Sequence, residues 1–245
     1  AHAQTVEGAG FDAHGFRLAA HDADPRDPLV GWRPGEMQPH SWFTSGVLEY
    51  ANQPLVFERD GTTTVQVDDL IALNTSLGYA PHRRVRVDVS LPVYFHSQGV
   101  SGSMGAGIGD VRATGLVNLV SPTDGKGVGL GILGNLDLPT GSATEFRGQT
   151  TVSGGIGIAA TGEIDRLTLT ASASSQLRPN TDPDERPAPT KGGDAFAWAA
   201  SVGVLVAEGT GVTVEAHGEV ASDEEVRGAL GIPVEAMLSM KHVRS

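Results

Sequence analysis

The chain has 245 residues, no cysteine, and 29 Asp and Glu against 17 Lys and Arg, which gives a formal net charge of -12. The acidic balance argues against a nucleic-acid partner, because proteins that bind the phosphate backbone cluster Lys and Arg. Without cysteine, these residues form no disulfide and offer no thiolate ligand or nucleophile. No apolar run approaches the ~18 residues of a membrane-spanning helix, and the nearest candidate, residues 195–207, is too short. The 33 glycines and 14 prolines also argue against a helical bundle.

The first 39 residues form a region without a strand pattern. They are polar, rich in Asp, Pro and His, and contain only isolated aromatic residues, Phe11, Phe16 and Trp32. Two interpretations stay open for this region. It is either a distinct N-terminal segment or a disordered tail.

From residue 40 onward the sequence alternates between apolar and polar residues almost everywhere, as expected for β-strands. The clearest case is residues 84–96, where Val85, Val87 and Val89 occupy one parity, and Arg86 and Asp88 the other. Successive side chains of a strand point to opposite faces, so this strand has one apolar face and one charged face. Ten such strands are predicted, over residues 41–51, 69–80, 84–96, 110–120, 128–138, 151–162, 166–177, 195–207, 212–221 and 232–241.

The distribution of charge distinguishes a membrane barrel from a soluble sandwich. In the interior of all ten segments the apolar parity contains no Asp, Glu, Lys, Arg or His. The segments are also about twice as long as the ~5–6 residues of an ordinary strand, and they match the ~9–11 residues of a transmembrane strand. The sequence therefore predicts an all-β fold, an antiparallel transmembrane β-barrel with ten strands, over residues 40–245.

The connections between the strands alternate in length. Short turns follow the second, fourth, sixth and eighth strands. Longer loops follow the first, third, fifth, seventh and ninth strands, over residues 52–68, 97–109, 139–150, 178–194 and 222–231. Outer-membrane barrels have short periplasmic turns and long external loops. This pattern places both termini in the periplasm, so residues 1–39 are predicted to be periplasmic or to fill the barrel lumen.

Two sets of side chains are predicted to line the barrel. The polar parity supplies a lumen charge network, for which a structural role is favoured over a path for solutes. Its members are Glu49, Arg84, Arg86, Asp88, Asp110, Arg112, Glu215 and His217. The apolar parity supplies aromatic residues for the lipid interface, namely Trp42, Tyr50, Tyr79, Phe95, Phe196 and Trp198.

Several short motifs resemble the N-terminal β-barrel domain of OmpA-family outer-membrane proteins. They are residues 48–56 (LEYANQPLV), 89–93 (VSLPV), 109–112 (GDVR), 136–141 (LDLPTG) and 233–235 (PVE). The resemblance implies a barrel of twelve strands that is commonly followed by a peptidoglycan-binding domain. This sequence has ten candidate strands and none of that domain, so the barrel is expected to be incomplete at its C-terminal end and anchoring to peptidoglycan does not follow.

Motifs for catalysis or ligand binding are weak. Residues 129–134 spell G-x-G-x-x-G but lie within a predicted strand, where glycine thins or bends a wall, rather than between a strand and a helix. The eight histidines lack the spacing of a zinc site, and there is no G-x-S-x-G elbow. The carboxylate-rich residues 180–185 and 222–225 could bind Ca²⁺, but solvated acidic loops are the favoured interpretation.

The sequence thus predicts a non-enzymatic protein of the bacterial outer membrane, without cofactor or metal. The barrel would be an envelope anchor in contact with outer-membrane lipid, and its long loops would recognise a surface ligand or another envelope protein. A narrow porin for small solutes is the first alternative. A hydrolase at the barrel rim, using His96 or His217, and a soluble secreted β-protein are the further alternatives.

Overall fold

The computed structural model describes residues 18–19, 24–59, 62–99, 102–103, 105–122, 126–142, 145, 147–177, 194–221 and 234–242. Ten long strands and two short ones make up the fold of these residues. The long strands are β1 (Ser41–Arg59), β2 (Thr62–His82), β3 (Val85–Gly99), β6 (Val111–Val120), β7 (Lys126–Leu138), β8 (Ser153–Ile164), β9 (Leu167–Leu177), β10 (Ala195–Ala207), β11 (Thr210–Ala221) and β12 (Val234–His242). The short strands are β4 (Gly102–Ser103) and β5 (Gly107–Ile108).

All strands belong to one antiparallel sheet that curls into a half-barrel. The long strands pair in chain order from β1 to β12, and β4 and β5 pair with β3. Among the described residues, β1 and β12 form the two edges of the sheet and do not pair with each other. The prediction of ten antiparallel strands is confirmed. No helix in the described part of the chain has the length and apolar character that crossing a bilayer requires.

The prediction of a first loop over residues 52–68 is wrong. Residues 52–68 were expected to connect two strands, but β1 and β2 continue as a paired hairpin that reaches Arg59 and Thr62, with register shifts on either side of Leu55. Pro54 breaks the alternation there, which hides the strand from a periodicity argument. The dipeptide Asp60-Gly61 between two alternating runs is a hairpin signal that could have revealed it.

The two faces of the sheet have the opposite polarity to those of an ordinary soluble protein. Along β3, Val87 and Val89 are 43% and 48% exposed on the convex face, whereas Arg86 and Asp88 are each 3% exposed on the concave face. The same arrangement recurs around the sheet. Exposed apolar side chains include Leu48, Ile132, Ile156, Ile158, Val214 and Leu238, and buried polar ones include Asn74, Asn118, Thr161, Thr170, Gln176 and Thr213.

The connections at the two ends of the half-barrel differ in length. At one end the strands are joined by turns at residues 83–84, 165–166 and 208–209. Asp165 and Gly209 adopt the positive φ angles of 52° and 66° that such tight turns need. At the other end the connection from β7 to β8 runs over residues 139–152. The loops after β9 and β11, which contain the acidic residues 180–185 and 222–225, lie outside the described residues.

Candidate functional site: the concave face and the segment that covers it

Residues 24–40, here called the N-terminal segment, cross the half-barrel at the end with the short turns. Arg26 donates a hydrogen bond to the carbonyl of Asp165 in the β8–β9 turn. The side-chain amide of Asn118 on β6 donates to the carbonyl of Gly35 at 2.5 Å, and the N–H of Met37 donates to the carbonyl of Arg83 in the β2–β3 turn. One stretch of chain therefore contacts turns and strands on both sides of the curled sheet.

Glu215 on β11 holds the middle of this segment. Its buried carboxylate accepts hydrogen bonds from three consecutive backbone N–H groups, those of Leu29, Val30 and Gly31, at distances of 2.5 to 3.2 Å. Hydrogen bonds to an ionised acceptor are stronger than neutral ones. The carboxylate therefore serves as the binding site for the backbone of the segment.

Two arginines and three acids form a compact group beside Glu215, here called the mouth cluster (Asp24, Arg26, Asp27, Arg33 and Glu163). Arg33 pairs with Glu163 on β8 at 2.6 Å, with Asp27 at 2.6 Å and with Asp24 at 2.9 Å. Arg26 pairs with Asp24 at 2.8 Å. Buried ions need partners of this kind, since removing a charge from water is costly. Glu163 thereby connects the segment to the barrel wall.

The pKa values of the segment reflect these pairs. Burial by itself raises the pKa of the Asp24 carboxyl, but the hydrogen bonds from Arg26 and the charge of Arg33 outweigh it and lower the pKa to about 2. Burial lowers the pKa of Arg33, and the charges of Asp27 and Asp24 more than reverse that shift and raise it. Both groups are thus ionised at neutral pH.

An aromatic contact and a lysine fix the segment at two further points. Trp32 lies over the guanidinium of Arg86 at 4.5 Å and packs against the buried cluster of Leu116, Leu133 and Ala159. Lys241 on β12 donates a hydrogen bond to the carbonyl of Asp27 at 2.7 Å. The segment therefore touches the last strand of the sheet as well as β3 and the central strands.

Glycines on the concave face let the segment approach closely. A Cβ atom on Gly203 would lie 2.5 Å from the carbonyl oxygen of Arg26, and one on Gly129 would lie 2.8 Å from that of Pro34. Gly129 and Gly131 open the G-x-G-x-x-G run, which lies entirely within β7 rather than between a strand and a helix. Here the first glycine makes room for the segment.

A second set of polar contacts stabilises the opposite end. Arg112 on β6 forms a two-point ion pair with its cross-strand neighbour Asp137, at 2.5 and 2.8 Å. Asp110 accepts hydrogen bonds from the N–H groups of Gly141 and Gln149 and so holds the loop after β7. The buried Arg147 donates to the carbonyl of Gly105 at 2.6 Å.

The structure places the predicted lumen residues as follows. Arg86, Asp88, Asp110, Glu215 and His217 are buried on the concave face, and Glu49 and Arg112 are half-buried there. Asn74 donates to Glu49 at 3.1 Å, and His217 lies 3.3 Å from the carboxylate of Glu235. Arg84, in contrast, lies exposed in the β2–β3 turn, because the strand begins at Val85. The sequence analysis did not predict the mouth cluster, because no motif spacing relates its five residues.

The predicted aromatic residues lie on the convex face. Trp42, Tyr50, Phe95 and Phe196 are about half to two-thirds exposed, and Tyr79 and Trp198 are partly exposed. The Trp42 and Tyr79 rings lie 4.5 Å apart near the short turns, and Phe196 lies toward the opposite end. Tyr50 lies at the midpoint of β1. Aromatic side chains thus occur near both ends of the convex face.

The concave face has the chemistry of a packed polar interior. Within the described ranges no group of three or more His, Asp or Glu residues could hold a metal ion. A small cavity of about 10 Å³ beside Ser90, Asp110 and Arg112 has room for about one water molecule. The chain matches no protein-family model, and no curated protein matches it. The fold therefore defines its class: an all-β protein with a curled antiparallel half-barrel and a polar, covered concave face.

Proposed function

We propose that this chain forms a β-barrel in the bacterial outer membrane, as a non-enzymatic envelope anchor whose long loops serve for recognition. The reversed polarity of the two faces carries the proposal. Soluble monomers rarely expose apolar patches larger than a few hundred Å². Here the convex face exposes Ile132, Ile156, Ile158 and many similar side chains around the whole sheet, as a lipid-facing wall would.

The dimensions and the ends of the strands agree with that environment. The ten long strands have 9 to 21 residues, at or above the ~9–11 that cross the hydrocarbon of a bilayer. Trp42 and Tyr79 near one end and Phe196 near the other would lie at the two interfaces. Closure of the barrel in the membrane requires the edges of β1 and β12 to be joined, either to each other or through additional strands.

The relationship to the OmpA family is part of this proposal and rests on the motifs described above. Two of them meet in space. Asp110 of the GDVR motif accepts the N–H of Gly141 in the LDLPTG motif, and Arg112 pairs with Asp137 of the same motif. The motifs therefore form one contact between a strand and the loop after β7, which gives a physical reason for their occurring together.

The experiment compares two isoleucines on the convex face of β8. Ile158 and Ile164 are 67% and 65% exposed, but Ile158 lies in the middle of the strand and Ile164 beside the turn. In a membrane, arginine costs ~2–4 kcal/mol at the midplane and ~0–1 kcal/mol near an interface. The readout is the fraction of protein that folds into lipid vesicles and then changes its gel mobility on boiling.

We expect Ile158→Arg to lower the folding equilibrium constant by about 30-fold or more, and Ile164→Arg to stay close to the unchanged protein. On the surface of a soluble protein both substitutions would be harmless. Equal behaviour of the two variants, together with a protein that stays in solution without detergent, would refute the membrane location and favour a soluble secreted β-protein.

A further inference from the structure

The exposed lysine and arginine side chains gather at the short-turn end of the sheet. Every Lys or Arg whose described side chain is exposed lies there, namely Arg83, Arg84, Lys126 and Arg166. At the opposite end the exposed charged side chains of the described residues are acids, Asp194 and Glu235. The chain as a whole is acidic, with a formal net charge of -12. The short-turn end is therefore the part of the described surface that offers positive charge to a partner.

Two of these cations are adjacent and make no ion pair. Arg83 and Arg84 form the β2–β3 turn, and neither guanidinium has an acidic partner among the described residues. Lys126, in contrast, pairs with Asp165 at 2.9 Å. Residues 36–42, 79–87 and 116–122 surround the turn, and the single acid in these three ranges is Glu36. The turn therefore carries a net positive charge.

The backbone of this turn is held from both sides. The N–H of Met37 donates a hydrogen bond to the carbonyl of Arg83 at 3.0 Å, and the N–H of Asn118 on β6 donates to the carbonyl of Arg84 at 2.7 Å. The N–H of Arg84 donates to the Nδ1 of His82 at 3.2 Å. The two arginines thus project from a fixed backbone, and both of their side chains are exposed.

An exposed aromatic pair lies beside the turn on the convex face. Trp42 is 67% exposed, and its cross-strand neighbour Tyr79 has its ring centroid 4.5 Å away. The hydroxyl of Tyr79 is hydrogen-bonded to the Nδ1 of His40 at 2.9 Å. Tyr79 pairs with Val87, and Arg84 lies three residues before Val87, which is ~10 Å along a strand. Because Trp and Tyr rings favour the bilayer interface, the two guanidiniums would lie just outside it, at the depth of the lipid phosphates.

We propose that Arg83 and Arg84 bind the phosphate of anionic phospholipids, such as phosphatidylglycerol, in the bilayer leaflet at the short-turn end, with Trp42 and Tyr79 packing beside the same lipid. The inference rests on the proposed function, since only a membrane-inserted barrel meets that leaflet. A guanidinium forms two parallel hydrogen bonds with a phosphate, and an unpaired basic side chain is attracted to an anionic leaflet. A zwitterionic lipid lacks that net attraction.

The experiment measures how brominated lipids quench tryptophan fluorescence in vesicles that contain the folded protein. Brominated phosphatidylglycerol is compared with brominated phosphatidylcholine, and the ratio of quenching gives the relative binding of the two lipids beside a tryptophan. Trp198→Phe leaves Trp42 as the tryptophan on the convex face, and Trp42→Phe leaves Trp198, which lies toward the opposite end of the sheet. Trp32, inside the half-barrel, adds a constant background.

We expect Trp42 to show about threefold or greater preference for phosphatidylglycerol, and Trp198 to show none. Replacing both arginines, Arg83→Gln with Arg84→Gln, should abolish the preference at Trp42. Arg166→Gln is the matched control, because it removes an exposed arginine from the β8–β9 turn at the same end, and it should leave the preference unchanged.

Three results would overturn the lipid site. They are equal quenching of Trp42 by the two lipids, a preference of the same size at Trp198, or a preference at Trp42 that persists without Arg83 and Arg84. Each sample is also tested for the change of gel mobility on boiling. Protein that does not fold into the vesicles at all counts against the proposed membrane function itself, so the two failures are distinguished.

Discussion

The carboxylate of Glu215 accepts a hydrogen bond from the backbone N–H of Gly31 at 2.5 Å, across 184 positions of the chain. This contact joins the region before the first strand to the eleventh strand of the sheet. Because Glu215 also binds the N–H groups of Leu29 and Val30, a single buried side chain accounts for most of the backbone hydrogen bonding in the centre of the segment.

Replacing Glu215 should therefore release the segment. In Glu215→Gln the amide NH₂ group would face backbone donors, and each buried N–H left unsatisfied costs ~1–3 kcal/mol. We expect trypsin to cleave after Arg26 at least tenfold faster in the folded variant. Glu208→Gln is the control, because Glu208 is exposed in a turn. An unchanged cleavage rate in Glu215→Gln would mean that other contacts hold the segment.

Because Arg26 lies so close to β10, adding a methyl group at Gly203 should disturb the docking of the segment. Gly203→Ala would place a methyl group 2.5 Å from the Arg26 carbonyl oxygen, and overpacking of this kind costs ~1–3 kcal/mol. We expect a lower melting temperature and faster cleavage after Arg26. Gly162→Ala has nothing within 4 Å of the new methyl group and should leave both unchanged. Identical behaviour of the two variants would contradict the docking of the segment on β10.

The lowered pKa of Asp24 predicts how the docking depends on pH. The folded pKa of about 2 lies below the ordinary 3.8, so ionised Asp24 stabilises the docked segment fully above pH 3.8. That contribution, ~2 kcal/mol at most, is lost as the pH falls from about 4 to about 2. Hydrogen exchange at the Gly31 N–H, corrected for its intrinsic rate, measures the loss.

The control for this titration is Asp24→Asn, which lacks the ionisable group. At pH 5 its Gly31 N–H should exchange faster than that of the unchanged protein, and the two rates should converge as the pH approaches 2. If the exchange rates of the two proteins differed by the same factor at pH 5 and near pH 2, the charge of Asp24 would not be the cause of the pH dependence.

Asp110 is predicted to hold the loop after β7. Its carboxylate is 3% exposed and accepts the N–H groups of Gly141 and Gln149 at 2.9 and 2.7 Å. Asp110→Asn keeps only one good acceptor, so we expect a loss of ~1–3 kcal/mol and faster trypsin cleavage after the otherwise buried Arg147. Asp165→Asn, whose ion pair with Lys126 is largely exposed, should have little effect.

The sequence by itself determined the strands and which face of each is apolar. In a strand, Val87 and Val89 must lie on one face and Arg86 and Asp88 on the other, because side chains alternate with a period of two. The pattern failed where Pro54 interrupted it, and it placed Arg84 one residue too early, since it says nothing about where a turn begins.

Only the tertiary structure decided which partners the interior charges have. Arg112 pairs with Asp137 because the register of β6 and β7 makes them neighbours, and Glu163 and Glu215 bind the N-terminal segment because the sheet curls around it. Local rules act over a few residues, whereas these contacts join positions 25 to 186 residues apart. Their energy comes from burying charges together, which depends on the curvature of the sheet and on where the segment can approach it through glycine.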